Sequence, residues 1–275
     1  MKYTAQSTKY VFKNLFYLLP LVIIPAFFLS FTLAREESVS VFMKVTQGRL
    51  TEIGYVELFQ TISLFNFSSW QSVVFGVVGV LTLVVCVAML MAFTEKHMRI
   101  GKRTLNGLFG KLNDNLLSTL GFTVLLFAIY ELWSVITAAL FLLVAKLLPL
   151  YVAYAVAIVL FFVANFALLY VVSMIYLWLP CMQITGFRPF EALRYAFILC
   201  EPVRGKIIVA QTLFLMAAEV LITGCIILLP EMTVLSVAVA TLLFAFMIMQ
   251  FCVRMQIVYF DRAQIERADL RISYW

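Results

Sequence analysis

Charge is scarce in this 275-residue chain: Lys and Arg total 20 and Asp and Glu 14, so charged residues make up 12% of it. Soluble domains carry about 25%, and half that share cannot coat a water-facing surface of this size. A soluble enzyme and a disordered chain are excluded on that ground. Histidine is scarcer still. The single His97, whose neighbours place it in a basic loop, supports neither an HExxH metal site nor a Ser-His triad. The five cysteines, Cys86, Cys181, Cys200, Cys225 and Cys252, form no Cys-x-x-Cys pair and sit in apolar or inward-facing stretches. That excludes a disulfide scaffold and makes them small buried hydrophobes. Gly101-Lys102-Arg103-Thr104 lacks the upstream glycine and the Lys-Ser/Thr order of a phosphate loop. The net charge of +6 is not gathered into a nucleic-acid-binding module. The expectation is therefore a protein without catalytic residues, metal ligands, cofactor or nucleic-acid partner.

Hydrocarbon is abundant instead: 64% of residues are hydrophobic and the mean hydropathy is +1.05. A helix needs about 20 mostly apolar residues to cross a hydrocarbon core of about 30 Å. Six stretches meet this, at about 15–34, 72–94, 118–147, 151–180, 206–229 and 233–260. In lipid such runs must be helical, because every backbone N–H and C=O needs an internal partner. The fold class is thus all-α, a single integral membrane domain over 1–275, with an outer segment at 35–71 and a tail at 261–275. The first run starts too late and is too long for a cleaved signal, so it is expected to stay as a span. Pro20 and Pro25 within it remove two backbone donors and predict a kink.

The basic residues set the orientation. Sixteen of the 20 fall at 2–13, 96–111, 188–206 and 254–271, and four (Arg35, Lys44, Arg49 and Lys146) fall on the other side. Lys and Arg collect on the cytoplasmic side of short loops, so both termini are expected in the cytoplasm of a plasma (inner) membrane. There the basic rims face anionic headgroups, at about 1 kcal/mol each. Arg254, six residues from the end of its span, is expected to snorkel to that side.

Stretches 2–14, 95–117 and 186–205 mix charges with spaced apolar residues just before a span. They predict three units of one interfacial helix plus two spans. At an offset of 88 the second and third units align without a gap, bringing Glu131 onto Glu219. In the outer segment Leu50, Ile53, Val56, Phe59, Ile62 and Leu64 recur at helical spacing, predicting an amphipathic helix that caps the bundle or docks a partner. Ser72 with Gly76, Ala153 with Ala157, and Ser236 with Ala240 allow close helix approach. Asn66-Phe67-Ser68 fits a glycosylation sequon.

Four polar residues interrupt the spans. Glu131 and Glu219 each lie about 20 Å along their helices from the cytoplasmic end. Asn165, in the oppositely directed fourth span, is at a similar height, and Gln211 is shallower, as is Gln250. A carboxylate at that depth is expensive unless neutral, paired or hydrated. In one reading the glutamates are interhelical glue, one of them bonded to Asn165, worth about 0.6–2 kcal/mol per contact. In the other, Glu131, Glu219, Asn165 and Gln211 line a route for a proton, a cation or a lipid-like substrate.

Residues 184–222 read Ile184-Thr185-Gly186-Phe187-Arg188-Pro189-Phe190-Glu191-Ala192-Leu193-Arg194-Tyr195-Ala196-Phe197, then Gly205-Lys206 and an apolar span, after a span ending at Pro180. This pattern resembles the membrane domain attached to some bacterial glycerophosphodiester phosphodiesterases, and its stand-alone six-span relatives of unknown function. Gly101 and Phe109 before the third span are compatible with it. The resemblance implies a bacterial inner-membrane protein without the phosphodiesterase catalytic domain, and it transfers no active residue. Two roles follow from the whole: a non-catalytic accessory or scaffold subunit with a membrane-protein partner, or a small transporter or channel.

Overall fold

A computed structural model describes residues 2–67, 69–229 and 232–270. Ser68 of the sequon, Pro230 of an outer turn and Arg271 of the basic tally lie outside the described residues. The described chain contains no strand, and it is the all-α, polytopic membrane architecture expected from composition. Its helices are α1 (Lys2–Lys13), α2 (Leu15–Ser30), α3 (Arg35–Thr46), α4 (Tyr55–Ile62), α5 (Trp70–Ile100), α6 (Leu108–Leu147), α7 (Leu150–Ile175), α8 (Trp178–Thr185), α9 (Pro189–Cys200), α10 (Arg204–Leu228) and α11 (Thr233–Arg262).

Five lengths are long and apolar enough to cross a membrane, and α1 with α2 makes a sixth if that bent pair counts as one. The six principal helices close into a ring, α2–α5–α6–α7–α10–α11 and back to α2, each packed on the next. Gly79 brings α5 onto α2, and Gly76 lets Phe65 of the outer segment pack on α5. A Cβ on Gly76 would come within 2.9 Å of the Phe65 ring, and one on Gly79 within 3.1 Å of Leu29. Ala153, Ser236 and Ala240 are buried as their spacing predicts, whereas Ser72 and Ala157 are only partly so. Both ends of the described chain lie on one face, where Lys2 Nζ is 3.5 Å from Asp261 Oδ1. This is called the termini face below.

Four expectations are corrected. The first span ends at Ser30 rather than 34, leaving a 16-residue helix of about 24 Å. Its sharp bend, 94°, falls at Asn14, where α1 turns across α2; Pro20 and Pro25 both lie inside the single helix α2. No separate interfacial helix forms at 95–117, because α5 runs on to Ile100 and α6 starts at Leu108. Glu95, 3% exposed, pairs with Arg99 of its own helix at 3.2 Å and holds the two ends together through Lys111 of α6 at 2.9 Å, leaving 101–107 as a short loop between them. Likewise α9 continues into α10 through the short turn Glu201–Val203, and the two form one apolar length from Pro189 to Leu228. Only the first of the three supposed units thus has a helix lying across its span. Finally, His97 is in no loop. It is buried in the last turn of α5, with Nδ1 2.7 Å from the Tyr10 hydroxyl of α1.

The densest core sits at the termini face, where Cys252 through Phe260 of α11 are all buried. Helix α1 lies on that part of the bundle. Ser7 Oγ donates to Gln250 Oε1 at 2.7 Å, and Gln250 Nε2 donates to Thr8 at 2.8 Å.

At the far face, the outer segment forms α3, a short turn at Leu50–Glu52, and α4. Leu50, Ile53 and Leu58 are buried against the α6–α7 hairpin around Ala138, Ala145 and Ala153, so this segment caps the bundle. Glu57 ties the cap together by accepting from Lys44 Nζ at 2.6 Å, Ser40 Oγ at 2.5 Å and the Gly54 N–H at 3.4 Å. Burial pushes its carboxyl up, but these donors and the Lys44 charge outweigh that and hold it below the ordinary carboxylate value.

Candidate functional site

Between the helices of the ring lies a partly open cavity of about 470 Å³. Its wall is mostly hydrocarbon and aromatic, from Leu126, Phe127, Leu168, Phe214, Phe244 and Phe251 among others, with a few polar groups set into it: Tyr130, Asn165, Gln211, Glu219, Gln250 and Arg254. Three of the four candidate residues, Glu219, Asn165 and Gln211, therefore share one chamber. Glu131 does not.

The difference between the two glutamates begins with helical geometry. Successive residues on a helix point about 100° apart, so Tyr130 faces the cavity while Glu131 points to the chain that leaves α4. There the backbone descends from Ile62 to Phe65 at membrane depth, where unpaired N–H and C=O groups would each cost several kcal/mol. Glu131 and Tyr130 satisfy them. Glu131 accepts from Ser63 Oγ at 2.7 Å, from the Leu64 N–H at 3.1 Å and from Ser134 Oγ at 3.3 Å. The Tyr130 hydroxyl donates to the Ile62 carbonyl at 2.9 Å. Glu131 is a pin for the outer segment.

Glu219 has no such partners. Its Oε2 is buried and accepts no hydrogen bond among the described residues. Asn165, wholly buried, lies beside the carboxylate, but its Nδ2 donates to the Phe161 carbonyl at 3.2 Å and its Oδ1 has no donor. The neighbouring Trp133 indole is engaged with the Ala164 carbonyl at 2.7 Å. Gln211, about 12 Å nearer the termini face on α10, has an unpartnered Nε2. Tyr130 stands within electrostatic range of both carboxylates, so the pinned glutamate and the free one flank a single tyrosine.

Arg254 is placed where its sequence position did not suggest. It is 2% exposed, lines the cavity, and has a buried Nε without an acceptor, so it does not snorkel out. The physical reason is the dense layer around it: α1 and the α8–α9 turn cover this part of α11, leaving the cavity as the space open to the side chain. The rings of Phe214 and Phe246, 5.5 Å apart, set α10 against α11. Glu219 is five residues from Phe214 toward the far face and Arg254 eight from Phe246 toward the termini face, so the two charges lie about 20 Å apart along the bundle.

Tyr130, Trp133, Ser63 and the inward turn of Arg254 were not foreseen. The only signal for the first was its adjacency to Glu131, and nothing local marks Ser63. Among the described residues no group of three or more His, Cys, Asp or Glu is placed to hold a metal ion, and all five cysteines are free thiols. Comparison with known protein families, with curated proteins and with solved structures finds no match.

Proposed function

We propose that this chain is a multi-pass carrier of the inner (plasma) membrane that binds a small amphiphilic, lipid-like molecule in its central cavity, without chemistry of its own. The observation that supports this is the chamber itself. At about 470 Å³ it falls within the 300–1,000 Å³ of small-molecule sites, which are mostly apolar with a few placed polar groups. Glu219 Oε2, Asn165 Oδ1 and Gln211 Nε2 are buried without a hydrogen-bond partner among the described residues, and leaving each unsatisfied costs about 1–3 kcal/mol. A fold needing these residues only as glue would pair them, as it pairs Glu131. An accessory or scaffold role accounts for Glu131 and the outer cap but not for this chamber. The 16-to-4 division of basic residues supports a cytoplasmic termini face, and the pattern at 184–222 supports a bacterial inner-membrane relative of the phosphodiesterase membrane domain.

The test is photolabelling in phosphatidylcholine nanodiscs with an alkyl diazirine amphiphile, mapped by peptide mass spectrometry. Saturable labelling of Leu126, Phe127 and Leu215 is expected. Labelling confined to the exposed ridge of Leu117, Val124 and Leu132 would overturn the proposal.

A further inference from the structure

The carrier reading leaves the chemical class of the occupant open, and Arg254 narrows it. A guanidinium remains charged in proteins, and burying a charge without a partner costs several kcal/mol. Arg254 makes no ion pair and donates no hydrogen bond among the described residues, and its Nε is sealed from solvent. The one acid on the cavity wall, Glu219, is about 20 Å away along the bundle, far beyond ion-pair distance. The neighbouring amide of Gln250 is already committed to Ser7 and Thr8 of α1. The cavity therefore carries one uncompensated positive charge at its termini-face end.

The shape of the chamber fixes the rest of the ligand. On α6 the wall runs from Phe122 to Phe141, about 28 Å of helix. The chamber is thus long, with room along it for an extended alkyl chain. Between Arg254 and the Glu219 level the wall is mostly hydrocarbon and aromatic, including Phe251, Met247, Phe214 and Leu215, with the amides of Gln211 and Gln250 set into it.

We infer that the cavity takes an anionic amphiphile, with its carboxylate or phosphate-monoester head on Arg254 and its hydrocarbon running toward Trp133 and Glu219. The inference rests on the carrier reading and adds the sign of the head and the direction in which the ligand lies. A planar guanidinium suits such a head because it can donate two parallel hydrogen bonds to it.

The orientation gives the test its readout, since Trp133 lines the cavity beside Ala164 and Asn165, at the Glu219 level and well away from Arg254. The experiment uses the full chain in phosphatidylcholine nanodiscs, with Trp70, Trp178 and Trp275 changed to Phe so that Trp133 is the sole fluorophore. Palmitate brominated near its methyl end is titrated against hexadecanol brominated at the same place. The acid is expected to quench Trp133 saturably at a concentration at least tenfold below the neutral alcohol. Arg254→Gln is expected to remove that preference and Arg254→Lys to retain part of it. Competition by unlabelled palmitate or by hexadecyl phosphate tells a carboxylate ligand from a phosphate ligand, and displacement by either supports an anionic head. Saturable quenching by acid and alcohol alike, unchanged in Arg254→Gln, would overturn the head-group assignment while leaving the carrier reading standing. Quenching that never saturates with any probe would overturn both.

Discussion

The Ser63 hydroxyl donates to Glu131 Oε2 at 2.7 Å across 68 residues of sequence, and with the Leu64 N–H at 3.1 Å it makes the third-span glutamate a structural pin. Glu219, its counterpart at the 88-residue offset, faces the cavity with an unpartnered oxygen. One residue type at matched depth in two helices thus has two separate tasks, and the pair of substitutions should separate them.

Glu131→Gln replaces one acceptor oxygen by a donor amide, so the Ser63 hydroxyl and the Leu64 N–H cannot both keep their bonds. A loss of about 1–3 kcal/mol of stability is expected, seen as a lower thermal midpoint in nanodiscs. Ser63→Ala should destabilise in the same direction. The double variant should lose less than the sum of the two, because both act on one contact.

Glu219→Gln should leave the thermal midpoint near that of the parent, since no protein hydrogen bond to Oε2 is removed. Its effect is expected in carriage, as at least a severalfold fall in the rate at which proteoliposomes move a fluorescent fatty acid between leaflets. Equal rates in Glu219→Gln and parent would place that carboxylate outside the transport step.

The outer cap should loosen in acid. The Glu57 carboxyl in the folded protein titrates below its ordinary value of 4.5, so its contribution is fully present above about pH 4.5 and shrinks as pH falls through the folded value. Hydrogen-exchange protection factors over residues 38–62, corrected for the intrinsic rate at each pH, should therefore fall on acidification below 4.5. In Glu57→Gln this region should exchange faster at neutral pH and lose that part of the pH dependence.

Helix α1 should be releasable on its own. Gln250→Leu removes the bonds to Ser7 and Thr8, of which Ser7 is buried and Thr8 half-buried, at a cost of about 1–3 kcal/mol. Faster hydrogen exchange over residues 2–13, with the six-helix ring unchanged, is the expected outcome.

The membrane architecture was legible in the sequence because hydropathy is a local property: each apolar run states its own helix, and it was ends such as Ser30, Ile100, Leu108 and Ile175 that were misjudged. The depth of Glu131, Glu219 and Asn165 was legible for the same reason, since counting residues along a helix measures height. What encloses each group was not. The fate of Glu131 depends on Ser63 and Leu64, brought to it by a segment folded back from the far face. That of Arg254 depends on α1 and the α8–α9 turn covering α11, which turns a residue near the end of a span into a buried one. His97 was misplaced likewise, because the extension of α5 past the hydrocarbon is held by the contact of Glu95 with Lys111, a pairing between helices.

The most direct test of the central claim, that the cavity is a ligand chamber, is native mass spectrometry of the protein released from nanodiscs, compared with Ala218→Phe. Ala218 is buried on the cavity wall one residue from Glu219, so a phenyl ring there fills part of the chamber and leaves the lipid-facing surface as it was. The account expects a bound amphiphile at one per protein in the parent, displaced in the filled variant. A parent that carries no bound amphiphile, or a filled variant that retains it unchanged, would contradict the account.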